Sequence, residues 1–398
     1  MQYRPFGTTG FQVSALGFGA MRLPTANGAI DEPEATRIIR HAIDQGVNYV
    51  DTAYPYHEGT AEAFLGRALQ GGYRERIKLV TKMPSWEIRS ADDFDRYLDE
   101  QLERLQVPYV DFYLLHTLNK THWPKLRDLG VRQWAERAMA DGRIGGLGFS
   151  FHDDVATFKQ IVDEYDWALC QIQYNYMDVE NQAGLEGLRY AAAKGLAVVI
   201  MEPLRGGKLV SPPAPIQALW DSAPVRRTPV EWALHWLWSQ PEVSVVLSGM
   251  SNMEQVQQNL ATADASRVGL LAPEELALVE RVREGYADLI AIPCTGCAYC
   301  MPCPQGVDIP TNLAVYNEGI MFGTPEASRG QYAWQKFAYE EQGIYDHDIR
   351  AEMCVQCGAC ETKCPQGIPI SEWMPVIHAA LGEDGPYVTR LSEAAGSR

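Results

Sequence analysis

The stretch Asp31-Glu-Pro-Glu-Ala-Thr-Arg-Ile-Ile-Arg-His-Ala-Ile-Asp-Gln-Gly46 runs straight into Val47-Asn-Tyr-Val-Asp-Thr-Ala53, and this pairing sets the pattern for most of the chain. Asp31 suits a helix N-cap and Pro33 a first turn. Ala35, Ile38, Ile39, Ala42 and Ile43 recur at helical spacing, and Gly46 closes the end. The following run is short, apolar and partly β-branched, as a buried strand requires. Comparable runs occur at Val13–Ala20, Val47–Ala53, Ile77–Met83, Val110–His116, Ile144–Phe151, Leu169–Tyr174, Ala197–Leu204 and Val243–Gly249. Helical patterns follow them near 32–45, 60–70, 91–106, 124–141, 153–165, 183–194, 228–240 and 252–263. Eight strand–helix units in about 265 residues predict an α/β fold of the (β/α)8 TIM-barrel class. An open, doubly wound sheet needs a glycine-rich first turn leading into a helix. Gly17-Phe-Gly19-Ala-Met-Arg22 lacks the third glycine and the helix.

The rest of the composition narrows the class. The chain has 398 residues, 46% of them hydrophobic, and a formal charge of −17 from 34 Lys and Arg against 51 Asp and Glu. No basic run stands out, which argues against nucleic-acid and anionic-membrane partners. The first residues show no charged segment leading into an apolar core, and no apolar stretch reaches the length of about 18 residues that a spanning helix needs. A cytoplasmic protein is therefore expected. Of nine cysteines, eight lie between Cys294 and Cys364, in two tight runs, while Cys170 stands alone in an apolar strand and is expected only to pack. Without a secretory context, two tight runs do not read as a disulfide scaffold.

Barrel chemistry gathers at the C-terminal ends of the strands. There the sequence places Asp51-Thr-Ala-Tyr-Pro-Tyr56, Lys82, His116 and Gly148-Phe-Ser150. A lysine ending a buried run must keep its ammonium partnered or lose its charge, and Asp51 on the neighbouring strand is the natural partner. A free tyrosine, with a pKa near ~10, is a poor acid at neutral pH. An ammonium and an imidazole beside it are expected to bring it toward the working range.

These residues carry a resemblance. Residues 1–270 resemble the aldo-keto reductases in the opening Gly7-Thr-Thr-Gly-Phe-Gln-Val-Ser-Ala-Leu-Gly-Phe-Gly-Ala-Met-Arg-Leu-Pro24, in Asp51-Thr-Ala-x-x-Tyr56, Lys82, His116 and Gly148-Phe-Ser150, and in Ser248-Gly-Met-Ser-Asn252. The resemblance implies that Tyr56, rather than the nearby Tyr54, is the general acid. It also implies that Lys82 and His116 tune Tyr56, and that Asp51 holds Lys82. A small carbonyl or alcohol would react with a nicotinamide across the barrel mouth. Ser150 and Gln171 match the positions that hold its carboxamide, with Gly19, Met21, Asn252 and Asn259 as further cofactor-binding candidates. Two positions depart from the family. Met201 stands where an aromatic ring often stacks on the nicotinamide, and Ser248–Gln255 offers no cation for an extra ribose phosphate. NAD and NADP both stay open, and a flavin at the mouth is a further possibility. Arg22, Arg205 and Lys208 are the cations at hand, and His57 and His152 lie at strand ends.

The cysteine runs are Cys294-Thr-Gly-Cys297-Ala-Tyr-Cys300-Met-Pro-Cys303-Pro304 and Cys354-Val-Gln-Cys357-Gly-Ala-Cys360-Glu-Thr-Lys-Cys364-Pro365. The second matches the bacterial-ferredoxin run C-x2-C-x2-C-x3-C-P, and the first is one residue shorter before its last cysteine. Zinc sites more often use two separated Cys-x-x-Cys pairs. Because the fourth cysteine of each such run serves the other cluster in two-cluster ferredoxins, the resemblance implies two [4Fe–4S] clusters. One would sit on Cys294, Cys297, Cys300 and Cys364, the other on Cys354, Cys357, Cys360 and Cys303. The intervening segment is patterned as aromatic-rich helices. The whole resembles aldo-keto reductases with a C-terminal ferredoxin-type domain: a barrel at 1–270, a helical connection at 271–290, a small, mainly helical iron–sulfur domain at 291–380, and a tail at 381–398. Clusters move single electrons while a nicotinamide moves hydride. The expected function is therefore carbonyl reduction with cluster-mediated exchange with a redox partner protein. The alternative is a structural, regulatory or docking module on the barrel.

Overall fold

The computed structural model describes residues 1–341 and 345–394; the last four positions of the expected 381–398 tail lie outside the described residues. Eight strands form a closed parallel barrel: β1 (Leu16–Gly19), β2 (Tyr49–Asp51), β3 (Lys78–Met83), β4 (Phe112–Leu118), β5 (Leu147–Phe151), β6 (Leu169–Gln173), β7 (Ala197–Met201) and β8 (Val245–Ser248). Each pairs with its sequence neighbours, and Val246 of β8 pairs with Leu16 of β1 to close the ring, so no sheet edge is left open. The helix after β1 is Glu32–Asp44, N-capped by Asp31, whose side chain accepts from Glu34 N at 3.2 Å. The barrel interior is filled by Phe6, Val13, Tyr49, Val80, Phe112, Leu114, Leu169, Ala197, Val199, Val245 and Leu247.

Three local features differ from the sequence pattern. The run at Val13–Ala20 divides: Gln12–Ser14 pairs with Tyr3–Pro5 in an antiparallel hairpin, and only Leu16–Gly19 joins the barrel. The hairpin loop seats Phe6 against Tyr49 and Phe112, at ring-centroid distances of 5.7 and 4.9 Å. The expected helix at 124–141 is two helices, His122–Asp128 and Val131–Ala140, broken at Gly130 with φ 87°. A further helix, Ala214–Asp221, interrupts the segment after β7.

The chain divides into two compact units. One holds Met1–Gly207 and Arg227–Leu276; the other holds Lys208–Arg226 and Ala277–Arg398. The second unit includes helices Ile309–Met321, Pro325–Glu340 and Ile370–Gly382 around a core of Leu313, Tyr316, Tyr332, Trp373, Met374 and Ile377. Among the described residues no helix is long and apolar enough to cross a membrane.

In the first unit, helix Ala61–Ala68 packs on the end of helix Asp92–Leu105 through Gly66. A Cβ there would lie 2.7 Å from the carbonyl oxygens of both Arg104 and Leu105. Gly66→Ala must push backbone aside, at a cost of about 1–3 kcal/mol. The expected outcome is a lowered thermal midpoint, read by circular dichroism; an unchanged midpoint would contradict the close packing.

Candidate active site and cysteine cavities

Side chains two residues apart on a strand share a face. One step beyond the apolar interior layer, each strand therefore points its next inward residue toward the barrel's C-terminal mouth. Asp51 follows Tyr49, Lys82 follows Val80, His116 follows Leu114, Gln171 follows Leu169 and Met201 follows Val199. Ser150 stands in the same relation to Gly148 on β5. Tyr56 comes from the turn after β2, where Ala61 N donates to Tyr56 O at 3.2 Å and His57, Glu58 and Gly59 all adopt left-handed φ.

Lys82 is the centre of the group. Its Nζ donates to Asp51 Oδ1 at 2.6 Å, to Thr52 O at 2.7 Å and to Tyr56 Oη at 3.3 Å, with no solvent exposure. Burial disfavours its charge, yet Asp51 and Tyr56 together raise its pKa, so the shared proton stays on the amine. A second buried network backs this strand end. Gln101 Nε2 donates to Lys82 O, Glu62 Oε1 and Thr81 Oγ1, and Gln101 Oε1 accepts from the Tyr113 hydroxyl at 2.6 Å. The Tyr56 ring stands edge-on to His116 at 6.2 Å. Burial pushes the Tyr56 phenol above its ordinary value, outweighing the opposing pull of Lys82. That corrects the expected downward shift: the surroundings that strengthen Lys82's attraction also penalise the phenolate. His116 is held well below the ordinary imidazole range by burial first, then by Lys82 and His152.

Around this centre lie the other candidates. Ser150 Oγ accepts from Thr117 N at 2.8 Å, and Gln171 Nε2 lies 3.9 Å from the Met201 sulfur. The buried Gln171 Oε1 has no hydrogen-bond partner among the described residues. Asn259 Nδ2 donates to Ser248 Oγ at 3.0 Å, and Asn252 caps helix Met253–Asp264 by accepting from Gln255 N at 2.9 Å. Gly19 ends β1 against the Ser248 backbone, whereas Met21 projects into solvent. Arg22 packs along Gly249. Arg205 pairs with Asp178 and, in the second unit, Lys208 pairs with Glu318. His57 accepts from Leu23 N at 3.2 Å, tying two loops together. His152 bonds Gln182, which bonds Gln173, which in turn bonds Asp178. Sequence reasoning missed this chain and also Trp86, whose ring packs 5.2 Å from His116 while staying exposed. The position of Trp86 three residues beyond the end of β3 was the available signal. Cys170 is fully buried.

In the second unit the cysteines line two cavities. One is bordered by Cys294, Cys297, Cys300 and Cys364, the other by Cys303, Cys354, Cys357 and Cys360. Each takes three thiols from one run and one from the other, and Ile370 borders both. The two loops share a backbone path. Gly296 N and Gln356 N each donate to the first sulfur of their run at 3.4 Å, and Gly296, Ala298, Gln356 and Gly358 all adopt left-handed φ. Each last cysteine opens a Cys-Pro-Gln-Gly turn, at Cys303–Gly306 and Cys364–Gly367, which leads into a helix. That repeat is a legible sign of internal duplication that the cysteine spacing alone had obscured. Among the described residues no three His, Cys, Asp or Glu converge on a single-ion geometry. Four thiols spread round a cavity suit a cubic cluster, in which each corner iron takes one ligand.

Comparison with known proteins adds the following. The aldo/keto reductase family profile matches residues 15–284, and the 4Fe-4S dicluster domain profile matches residues 293–368. L-galactose dehydrogenase of Arabidopsis thaliana is 27% identical over 73% of this chain and 96% of its own. 6-dehydroglucose reductase of Novosphingobium aromaticivorans is 27% identical over 64% of this chain and 88% of its own. Among solved structures, an aldo-keto reductase of Bacillus halodurans superposes with a TM-score of 0.60 at 27% identity, covering 71% of this chain and 96% of that one. An aldo-keto reductase of Klebsiella pneumoniae in complex with NADPH gives 0.58 at 25% identity, with the same coverage.

The state of His116 makes stability pH-dependent. The folded chain keeps this imidazole neutral, while the unfolded chain takes up a proton near pH ~6.5. Its contribution is therefore complete above that pH and is lost as pH falls below it. Between about pH 7 and about pH 5, the urea midpoint of His116→Asn should fall less than that of the parent chain. Identical falls would contradict the buried neutral imidazole.

Proposed function

Since this chain belongs to the aldo/keto reductase family and carries a 4Fe–4S domain, we propose that it is a redox enzyme that reduces a small carbonyl, or oxidises the matching alcohol, at the barrel mouth, and exchanges single electrons with a protein partner through its clusters. The observation that carries this reading is the Lys82 ammonium, fixed by Asp51 and Thr52 and reaching Tyr56 Oη at 3.3 Å. The Tyr56 hydroxyl donates its proton to the carbonyl oxygen as that oxygen gains negative charge. Burial makes the free phenolate costly, so Lys82 carries the stabilisation at the moment of transfer. Neutral His116, whose ring stands 6.2 Å from that of Tyr56, would offer the same oxygen a hydrogen bond without bringing a second positive charge next to Lys82. Trp86 closes one side of His116.

The residues also fit a nicotinamide, as the NADPH-bound relative suggests. The unpartnered Gln171 Oε1 is free to accept from a carboxamide, and the Ser150 hydroxyl keeps its proton for donation. When bound, that group supplies hydride. The thiols of the second unit would hold two [4Fe–4S] clusters, one in each cavity, which supply one-electron steps. Free thiols at eight ligand positions accord with a reducing, cytoplasmic setting. The sugar names of two relatives make sugar-derived carbonyls the first substrates to test.

Tyr56→Phe should lower carbonyl reduction by about 10²–10⁴-fold while leaving the iron content unchanged. Full retention of activity would sink the proton-donor assignment. Anaerobically purified protein should contain about eight iron and about eight acid-labile sulfide per chain, and values near four would reject two clusters.

A further inference from the structure

The two cysteine loops follow the same backbone path, but the first run carries no charged residue, whereas the second carries Glu361 after its third cysteine and Lys363 before Cys364, which borders the other cavity. The residue after the third cysteine is Met301 in the first run and Glu361 in the second. The Glu361 carboxylate is fixed. Its Oε1 accepts from Ser371 N at 2.8 Å and from Ser371 Oγ at 2.6 Å, and its Oε2 lies 4.0 Å from the point where a Gly358 Cβ would stand. The anion is thus folded back over the Cys357-Gly-Ala-Cys360 loop, and Ser371 itself borders the cavity of Cys303, Cys354, Cys357 and Cys360. At the matched position of the other loop, Met301 offers no charge and packs against the apolar core.

We infer that Glu361 gives the two clusters unequal reduction potentials, making the cluster held by Cys303, Cys354, Cys357 and Cys360 the harder to reduce. This rests on the two-cluster reading above. Each reduction takes one electron from an external one-electron donor and adds one negative charge to the cluster. A fixed carboxylate beside the cluster opposes that added charge, whereas a thioether does not. In the half-reduced protein the electron therefore resides on the cluster of Cys294, Cys297, Cys300 and Cys364. The border residue Ile370 lies between the two. Glu361 acts here as a positioning charge for the electron and makes no bond to iron.

The test is an anaerobic dithionite titration of the full-length holoprotein, followed by electron paramagnetic resonance, with iron and sulfide measured on the same samples. The parent chain should titrate in two steps. Glu361→Gln keeps an oxygen acceptor for Ser371 but removes the charge, so it should raise the lower step and leave the upper one in place. Ser371→Ala, which removes the hydroxyl bond to the carboxylate and leaves only the one from Ser371 N, loosens it and should raise the same step by less. An unmoved lower step in both variants, or equal movement of both steps, overturns the role of Glu361. Iron and sulfide sufficient for a single cluster would instead overturn the two-cluster reading on which the inference stands.

Discussion

The barrel site depends on keeping a lysine charged where water does not reach. Removing an ammonium from solvent costs several kcal/mol, which only close, well-oriented acceptors offset. Lys82 meets that condition through a carboxylate on the neighbouring strand, a backbone carbonyl and a phenol. The closed barrel makes the arrangement possible, because Asp51 and Lys82 lie on adjacent, register-locked strands whose ends have no freedom to part. Gln101, Glu62, Thr81 and Tyr113 lock the same strand end from outside, with Gln101 donating to the Lys82 carbonyl and so fixing the backbone from which the ammonium projects.

The same low-dielectric setting acts on every titratable neighbour. It holds His116 neutral and raises the Tyr56 phenol, so a site with one fixed positive charge is flanked by two groups that resist becoming charged. In the proposed reaction a proton leaves such a phenol only as negative charge develops within reach of Lys82. The cysteine unit meets a related constraint differently. Each cavity takes three thiols from one tight loop and one from a distant turn. The unit must therefore bring both runs together before either donor set is complete, and Leu313, Tyr316, Trp373 and Met374 form the apolar core that does so.

Much of this was legible from residue order. The alternation of apolar runs and amphipathic segments gave away the barrel, because strand and helix periods are local properties. The split of the first run was not legible: Val13 and Leu16 are equally apolar, and only pairing with Tyr3–Pro5 separates a hairpin from a barrel strand. The break at Gly130 was hidden by continuous helical patterning on both sides. Trp86 and the chain from His152 to Asp178 escaped notice because their significance lies in who faces them across the mouth.

By itself the sequence determined the fold class, the residue types at each strand end and the presence of two cysteine loops. All of these follow from spacings of a few residues. It could suggest that Asp51 meets Lys82, since neighbouring strands of a parallel barrel bring their ends together. The tertiary structure decided that Lys208–Arg226 groups with the second compact unit and that burial outweighs the ammonium at Tyr56. Those outcomes depend on distances between residues far apart in the chain and on how much solvent the packing excludes, and neither is encoded in any short window of sequence.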